Sequence, residues 1–163
     1  ALVAWLLISP AGAGQEELKP FYGTWGGSAV AKNRDSKYFG VGTRASNITI
    51  APEGEGFVIK WTTTKGGDTA KAKTATLHFA PAARANVYKA AVSGEPADGK
   101  PYIWASVEKK TMTLYILAVN AKGGYDLSIY ERKVDGDEME VRFRRLRDGA
   151  PIRIVAGTLN RQK

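Results

Sequence analysis

Cysteine is absent from this sequence of 163 residues. That excludes a disulfide framework, a thiolate metal site and a cysteine nucleophile; it leaves the redox compartment open and is compatible with a bacterial periplasm. Histidine occurs once, at His78, among Thr, Ala and apolar residues, and no G-x-S-x-G elbow is present. A serine-histidine catalytic arrangement therefore has no recognisable signature. Acidic residues such as Asp135, Asp137 and Asp148 are scattered through turns and do not converge as a carboxylate metal site would require. The glycine-rich stretch Gly23–Gly27 precedes a strand pattern and not a helix, so it offers no helix N-terminus to a phosphate. The expectation is a protein without catalytic residues, metal or cofactor.

Long apolar runs are also missing. Ala1–Ile8 is an apolar run of eight residues, far short of the ~20 needed to cross a bilayer as a helix. It is followed by Ser9-Pro10 and the small residues Ala11-Gly12-Ala13, the order of an export signal and its cleavage site. Residues 1–14 are read as the remnant of such a signal and 15–163 as one domain, with no transmembrane anchor and a periplasmic or secreted location. The alternative is an apolar N-terminal helix that packs on the domain. The formal charge of +8 comes from 24 Lys and Arg against 16 Asp and Glu. Its densest stretch, Arg142, Arg144, Arg145, Arg147 and Arg153, reads most simply as a solvated basic surface.

Helical periodicity is scarce after Thr24, whereas alternation with period two recurs between turn signals. Phe57, Ile59 and Trp61 alternate with Val58, Lys60 and Thr62; Met139, Val141 and Phe143 alternate with charged residues. The same pattern runs through Ala75–Phe79, Met112–Ile116 and Tyr125–Ile129. Strands are expected near 24–32, 38–50, 56–64, 71–80, 86–92, 101–108, 110–119, 124–133, 137–146 and 152–161. Between them lie turn formers such as Pro52-Glu53-Gly54, Gly123-Gly124, Asp135-Gly136 and Asp148-Gly149. Connections this short join antiparallel neighbours, and closing a long meander removes its exposed edges. The fold class expected is all-β, an antiparallel up-and-down barrel of about 8–10 strands with a short N-terminal helical or signal-like segment.

The segment Leu18-Lys-Pro-Phe-Tyr-Gly-Thr-Trp-Gly-Gly, with its Gly23-x-Trp25 core, resembles the opening of the calycin barrels, which include lipocalins, fatty-acid-binding proteins, avidins and nitrobindin-like domains. The resemblance implies that Trp25 plugs one end of the barrel and that a basic residue on the last strand, here Arg161, packs across its ring. Gly23, Trp25 and Arg161 are thus the structural plug. Nitrobindin-like relatives bind haem iron through a histidine late in the chain, a position that His78 does not match, so haem ligation is not expected.

The apolar faces, if they point inward, give an interior of Phe57, Ile59, Trp61, Leu77, Phe79, Met112, Leu114, Ile116, Leu127, Ile129, Val141 and Phe143. Such a barrel either encloses a guest or is filled by its own side chains. If Arg161 faces Trp25 without an intervening bulge, parity also sends Leu159, Gly157, Val155 and Arg153 inward. Fatty-acid-binding relatives hold a ligand carboxylate with late-strand Arg and Tyr, which suggests Arg153 with Tyr125. The other parity places Ile152 and Ile154 inside and Arg153 on the basic exterior. Phe57, Trp61, Phe79, Tyr125 and Arg153 are the ligand-binding candidates. The leading expectation is a carrier of a small hydrophobic or amphipathic molecule. The alternative is a filled barrel whose basic outer face, through Arg142 and Arg144, contacts an anionic partner or envelope surface. Nucleic acid is not expected, although Tyr130, Arg132, Arg142 and Arg144 interleave aromatic and basic residues.

Overall fold

Each alternating run becomes a strand because its two faces meet different surroundings along the pleat. The computed structural model describes residues 13–33, 42–65 and 72–163. Ten strands follow a short helix α1 (Ala13–Leu18) and a single 3₁₀ turn (Lys19–Phe21). They are β1 (Gly23–Asn33), β2 (Gly42–Glu53), β3 (Gly56–Lys65), β4 (Lys73–Pro81), β5 (Val87–Ala90), β6 (Tyr102–Glu108), β7 (Thr111–Val119), β8 (Tyr125–Asp135), β9 (Glu138–Arg147) and β10 (Ala150–Arg161). Every sequential pair is antiparallel, and β1 pairs with both β2 and β10. The barrel is closed, so no strand edge is left unpaired along that seam.

Tight turns sit where the sequence supplies residues tolerant of positive φ. Gly136 (φ 59°) turns β8 into β9, and Asp148 and Gly149 (φ 48° and 82°) turn β9 into β10. Between β6 and β7 the same left-handed geometry is taken by Lys109 and Lys110 (φ 46° and 63°), which carry no glycine or asparagine signal.

One end of the barrel is packed solid. Leu18, Phe21, Trp25, Ile50, Phe57, Val107, Met112, Met139 and Leu159 are all buried there. Phe57 stacks on Phe79 with centroids 4.8 Å apart and meets Tyr88 edge-on at 5.3 Å. Burying side chains of this size contributes ~1.5–3 kcal/mol each. Helix α1 covers this end: Leu18 is buried, and the Tyr88 hydroxyl donates to the Gly14 carbonyl at 3.2 Å. The export-signal reading of residues 1–14 falls mainly on residues outside those described. So do the expected start of the second strand at 38–41 and that of the fourth at 71. Among the described residues no helix is long and apolar enough to cross a membrane.

The inward assignment of Leu127 and Ile129 is corrected. On β8 the inner face carries Ser128, Tyr130, Arg132 and Val134, and Ile129 lies in register with Tyr115 on the outside. Tyr115 in turn stacks on Trp104 at 4.7 Å, so these outer residues shelter one another as an external aromatic stripe. Alternation also divides the basic stretch. Arg142 and Arg144 are exposed on the outer face of β9, while Arg145, Arg147 and Arg153 follow the inner register. The register of β10 shifts between Pro151 and Arg153 and then runs unbroken to Asn160 against β9, and from Arg153 to Arg161 against β1. Arg153, Val155, Gly157, Leu159 and Arg161 therefore share the inner face, and Ile154 is exposed.

Candidate ligand-binding cavity

Beyond the packed end the interior side chains become small or polar. Ala29, Ser46, Ala75 and Ser128 stand where Phe, Met and Ile stand below them, and a cavity of about 510 Å³ opens among these residues. Its apolar lining is Ile48, Trp61, Val141, Phe143 and Val155; Thr63, Tyr130, Arg132, Arg145 and Arg153 supply polar groups. The lining is more polar than that of most small-molecule sites, with basic groups set among the apolar ones. The seam beside it is tight. A Cβ on Gly157 would lie 2.4 Å from the Ser28 carbonyl oxygen, so only glycine lets β1 and β10 approach this closely there.

Aromatic rings and guanidinium groups alternate along one wall. Tyr130 lies 4.5 Å from Phe143 and 6.0 Å from Trp61, centroid to centroid. Arg132 sits over Tyr130 and Arg153 over Phe143, each at 5.7 Å. Arg132 is only 3% exposed, and its Nε and Nη1 are buried without a hydrogen-bond partner among the described residues. Burial pushes its pKa down to about 10, with Tyr130 opposing the shift, so the guanidinium is charged at neutral pH. Burial raises the Tyr130 phenol, while Arg132, Arg153 and Arg145 pull it the other way. Toward the end of the barrel opposite the helix, Asp126 accepts from Arg145 at 2.6 Å and from Arg147 at 2.9 Å. The hydrogen bond from Arg147, with Arg145 beside it, holds the Asp126 carboxyl below its ordinary range against the effect of burial.

Of the five ligand-binding candidates from the sequence, Trp61 and Arg153 line this cavity. Phe57 and Phe79 lie beneath it in the packed end, where they contact each other and not the open space. Tyr125 does not join Arg153: it is 38% exposed and follows the outward register of β8 with Leu127 and Ile129. Among the plug residues, the Arg161 guanidinium lies over the Trp25 ring and donates to the carbonyls of Tyr22 at 2.5 Å and Pro20 at 3.1 Å. The Trp25 indole donates to the Phe21 carbonyl at 2.9 Å. Gly23 has φ 125°, and a Cβ there would lie 2.8 Å from Arg161 Nη1. His78 is exposed on the outer face of β4 and pairs with Glu53 at 2.9 Å. Sequence reasoning placed Tyr130 and Arg132 only in an external patch. The signal that identifies them is parity: Ser128, Tyr130, Arg132 and Val134 alternate as regularly as Leu127 and Ile129 do.

No family model and no curated protein matches the chain by sequence. Solved structures do match it. Rv2717c from M. tuberculosis superposes with a TM-score of 0.58 at 15% identity, over 95% of this chain and 99% of that one. The likeness lies in the fold. A protein of unknown function of the DUF3598 family from Nostoc punctiforme superposes with a TM-score of 0.57 at 16% identity, over 89% of this chain. The chain spans about half the length of that protein, 49%.

Proposed function

We propose that this chain is a non-enzymatic binding protein that carries a small amphipathic molecule inside the barrel. The cavity carries the reading: about 510 Å³ bounded by Trp61, Ile48, Val141 and Val155 on its apolar side and by hydroxyl and guanidinium groups on the other. A guest with one apolar and one polar part satisfies both linings, whereas a purely apolar one leaves the polar groups desolvated without partners. The filled-core alternative accounts for the helix-covered end only. Membership of the calycin superfamily is supported by the ten-strand closure and by Arg161 across Trp25. A site of action outside the cytoplasm is supported by the apolar run Ala1–Ile8 and the small residues that follow it.

The test is displacement of an environment-sensitive naphthalene sulfonate dye by amphipathic competitors. Saturable binding by the native chain, abolished in Val141→Trp with its circular dichroism unchanged, is expected. Failure of the native chain to bind any amphipath saturably rejects the carrier reading.

A further inference from the structure

Among the described residues no carboxylate pairs with the buried guanidinium of Arg132. A guanidinium presents five N–H donors, and a buried one without acceptors disfavours the folded state. Arg132 is buried, and its Nε and Nη1 meet no acceptor among the described residues. The acid on the same inner face of β8, Asp126, is already held by Arg145 and Arg147. Glu131 borders the cavity but follows the outward register, opposite Thr113 and Arg142. The neighbouring ring, Tyr130, offers Arg132 only its π face at 5.7 Å and itself lies within the field of Arg153 and Arg145. Three guanidinium groups, those of Arg132, Arg145 and Arg153, therefore act on the Tyr130 phenol.

We propose that Arg132 is the anchor for an oxyanion head group, carboxylate or phosphate, on the amphipathic guest, and that the guest enters head first. This rests on the carrier reading above. The direction follows from register. Arg132 lies opposite Met112 and Val141, one inward step along β8 from Val134, which meets Met139 in the packed end. The head group sits at the floor of the cavity, and the apolar chain extends past Trp61 toward the end where Asp126, Arg145 and Arg147 meet. Fork-shaped donation from Arg132 satisfies the nitrogens that the protein leaves without partners.

The experiment compares decanoate, decyl phosphate and decanol by titration calorimetry on the native chain, on Arg132→Met and on the exposed control Arg144→Met. The native chain should bind at least one of the two anions about 10- to 100-fold more tightly than decanol, the scale of a hydrogen bond to a charged group. Whichever anion binds more tightly identifies the head group. In Arg132→Met that preference should vanish while decanol binding persists, and the melting temperature of the ligand-free protein should rise, because a desolvated charge has been replaced by an apolar side chain of similar volume. A merely structural Arg132 gives the opposite, a lower melting temperature. Arg144→Met should change neither quantity. If Arg132→Met does not fold, Arg132→Lys, which keeps the charge but loses the fork, should weaken the anions selectively. Equal binding of decanol and the anions by the native chain, or an anion preference that is undiminished in the Arg132 variants, overturns the inference and leaves the carrier reading standing. Absence of binding by all three probes removes both. Nuclear Overhauser contacts from the α-methylene of bound decanoate to the Val141 methyls are expected; contacts there from the terminal methyl instead would reverse the orientation.

Discussion

The guanidinium of Arg161 lies 4.1 Å from the centroid of the Trp25 ring, joining the last residue of β10 to the third residue of β1. The same side chain donates to the carbonyls of Pro20 and Tyr22 and reaches Asp137 at 3.0 Å, so one residue ties together the covering 3₁₀ turn, the first strand, the last strand and the β8–β9 turn. Closure of the barrel at this seam makes the interior possible.

Arg161→Ala should lower the unfolding free energy by about 2–4 kcal/mol, from the lost cation–π contact and the carbonyls left without a charged donor. Denaturant melts measure it. A loss below about 0.5 kcal/mol contradicts the latch.

Gly23→Ala should destabilise by about 1–3 kcal/mol, because φ 125° strains an alanine and its Cβ meets Arg161 Nη1. The two substitutions share a contact, so their effects should not add. A double-mutant cycle that sums within experimental error would show that Gly23 serves backbone conformation alone.

Stability and binding should separate along the barrel axis. Phe79→Ala, in the packed end, should cost about 3–5 kcal/mol while the remaining folded protein still binds. Trp61→Ala, beside the cavity, should cost less stability and weaken dye binding more than tenfold. Equal effects of both on dye affinity, measured under conditions where each is folded, contradict the division into packed end and cavity.

Asp126 gives the protein an acid-side dependence. Its carboxyl is depressed in the folded state, so it contributes stability above the ordinary carboxylate range near about pH 4, and that contribution disappears as pH falls below it. Asp126→Asn should therefore be less stable than the native chain at about pH 7, by a margin that is smaller at about pH 2.5. Urea melts at the two pH values decide it; a difference that is the same at both contradicts the role assigned to the carboxylate.

The strands were legible because the alternation and the turn formers agree. Gly136 and Gly149 stand at left-handed turn positions, and Met139, Val141 and Phe143 face inward. The turn at Lys109-Lys110 carries no such marker, yet the strands on either side define it. On β8 the rule of apolar inside fails for a physical reason. Its outer residues Leu127 and Ile129 lie beside the sheltering Trp104–Tyr115 stack, and its inner residues Tyr130 and Arg132 face a cavity that is not wholly apolar. Alternation alone therefore turns Tyr125 toward Arg153 and leaves Arg132 on the surface. The last strand is a further case: alternation alone leaves both faces open to Arg153, and the register that runs without a break from Arg153 to Arg161 decides between them.

The central claim is that a guest lies inside the barrel and not on its surface, and the indole resonances of two tryptophans separate those cases. Trp61 borders the cavity, whereas Trp104 stacks on Tyr115 outside it. Titration of isotope-labelled protein with a bound amphipath, followed by heteronuclear NMR, should shift the Trp61 indole N–H and leave that of Trp104 in place. A saturable shift at Trp104 with Trp61 unmoved would contradict the account.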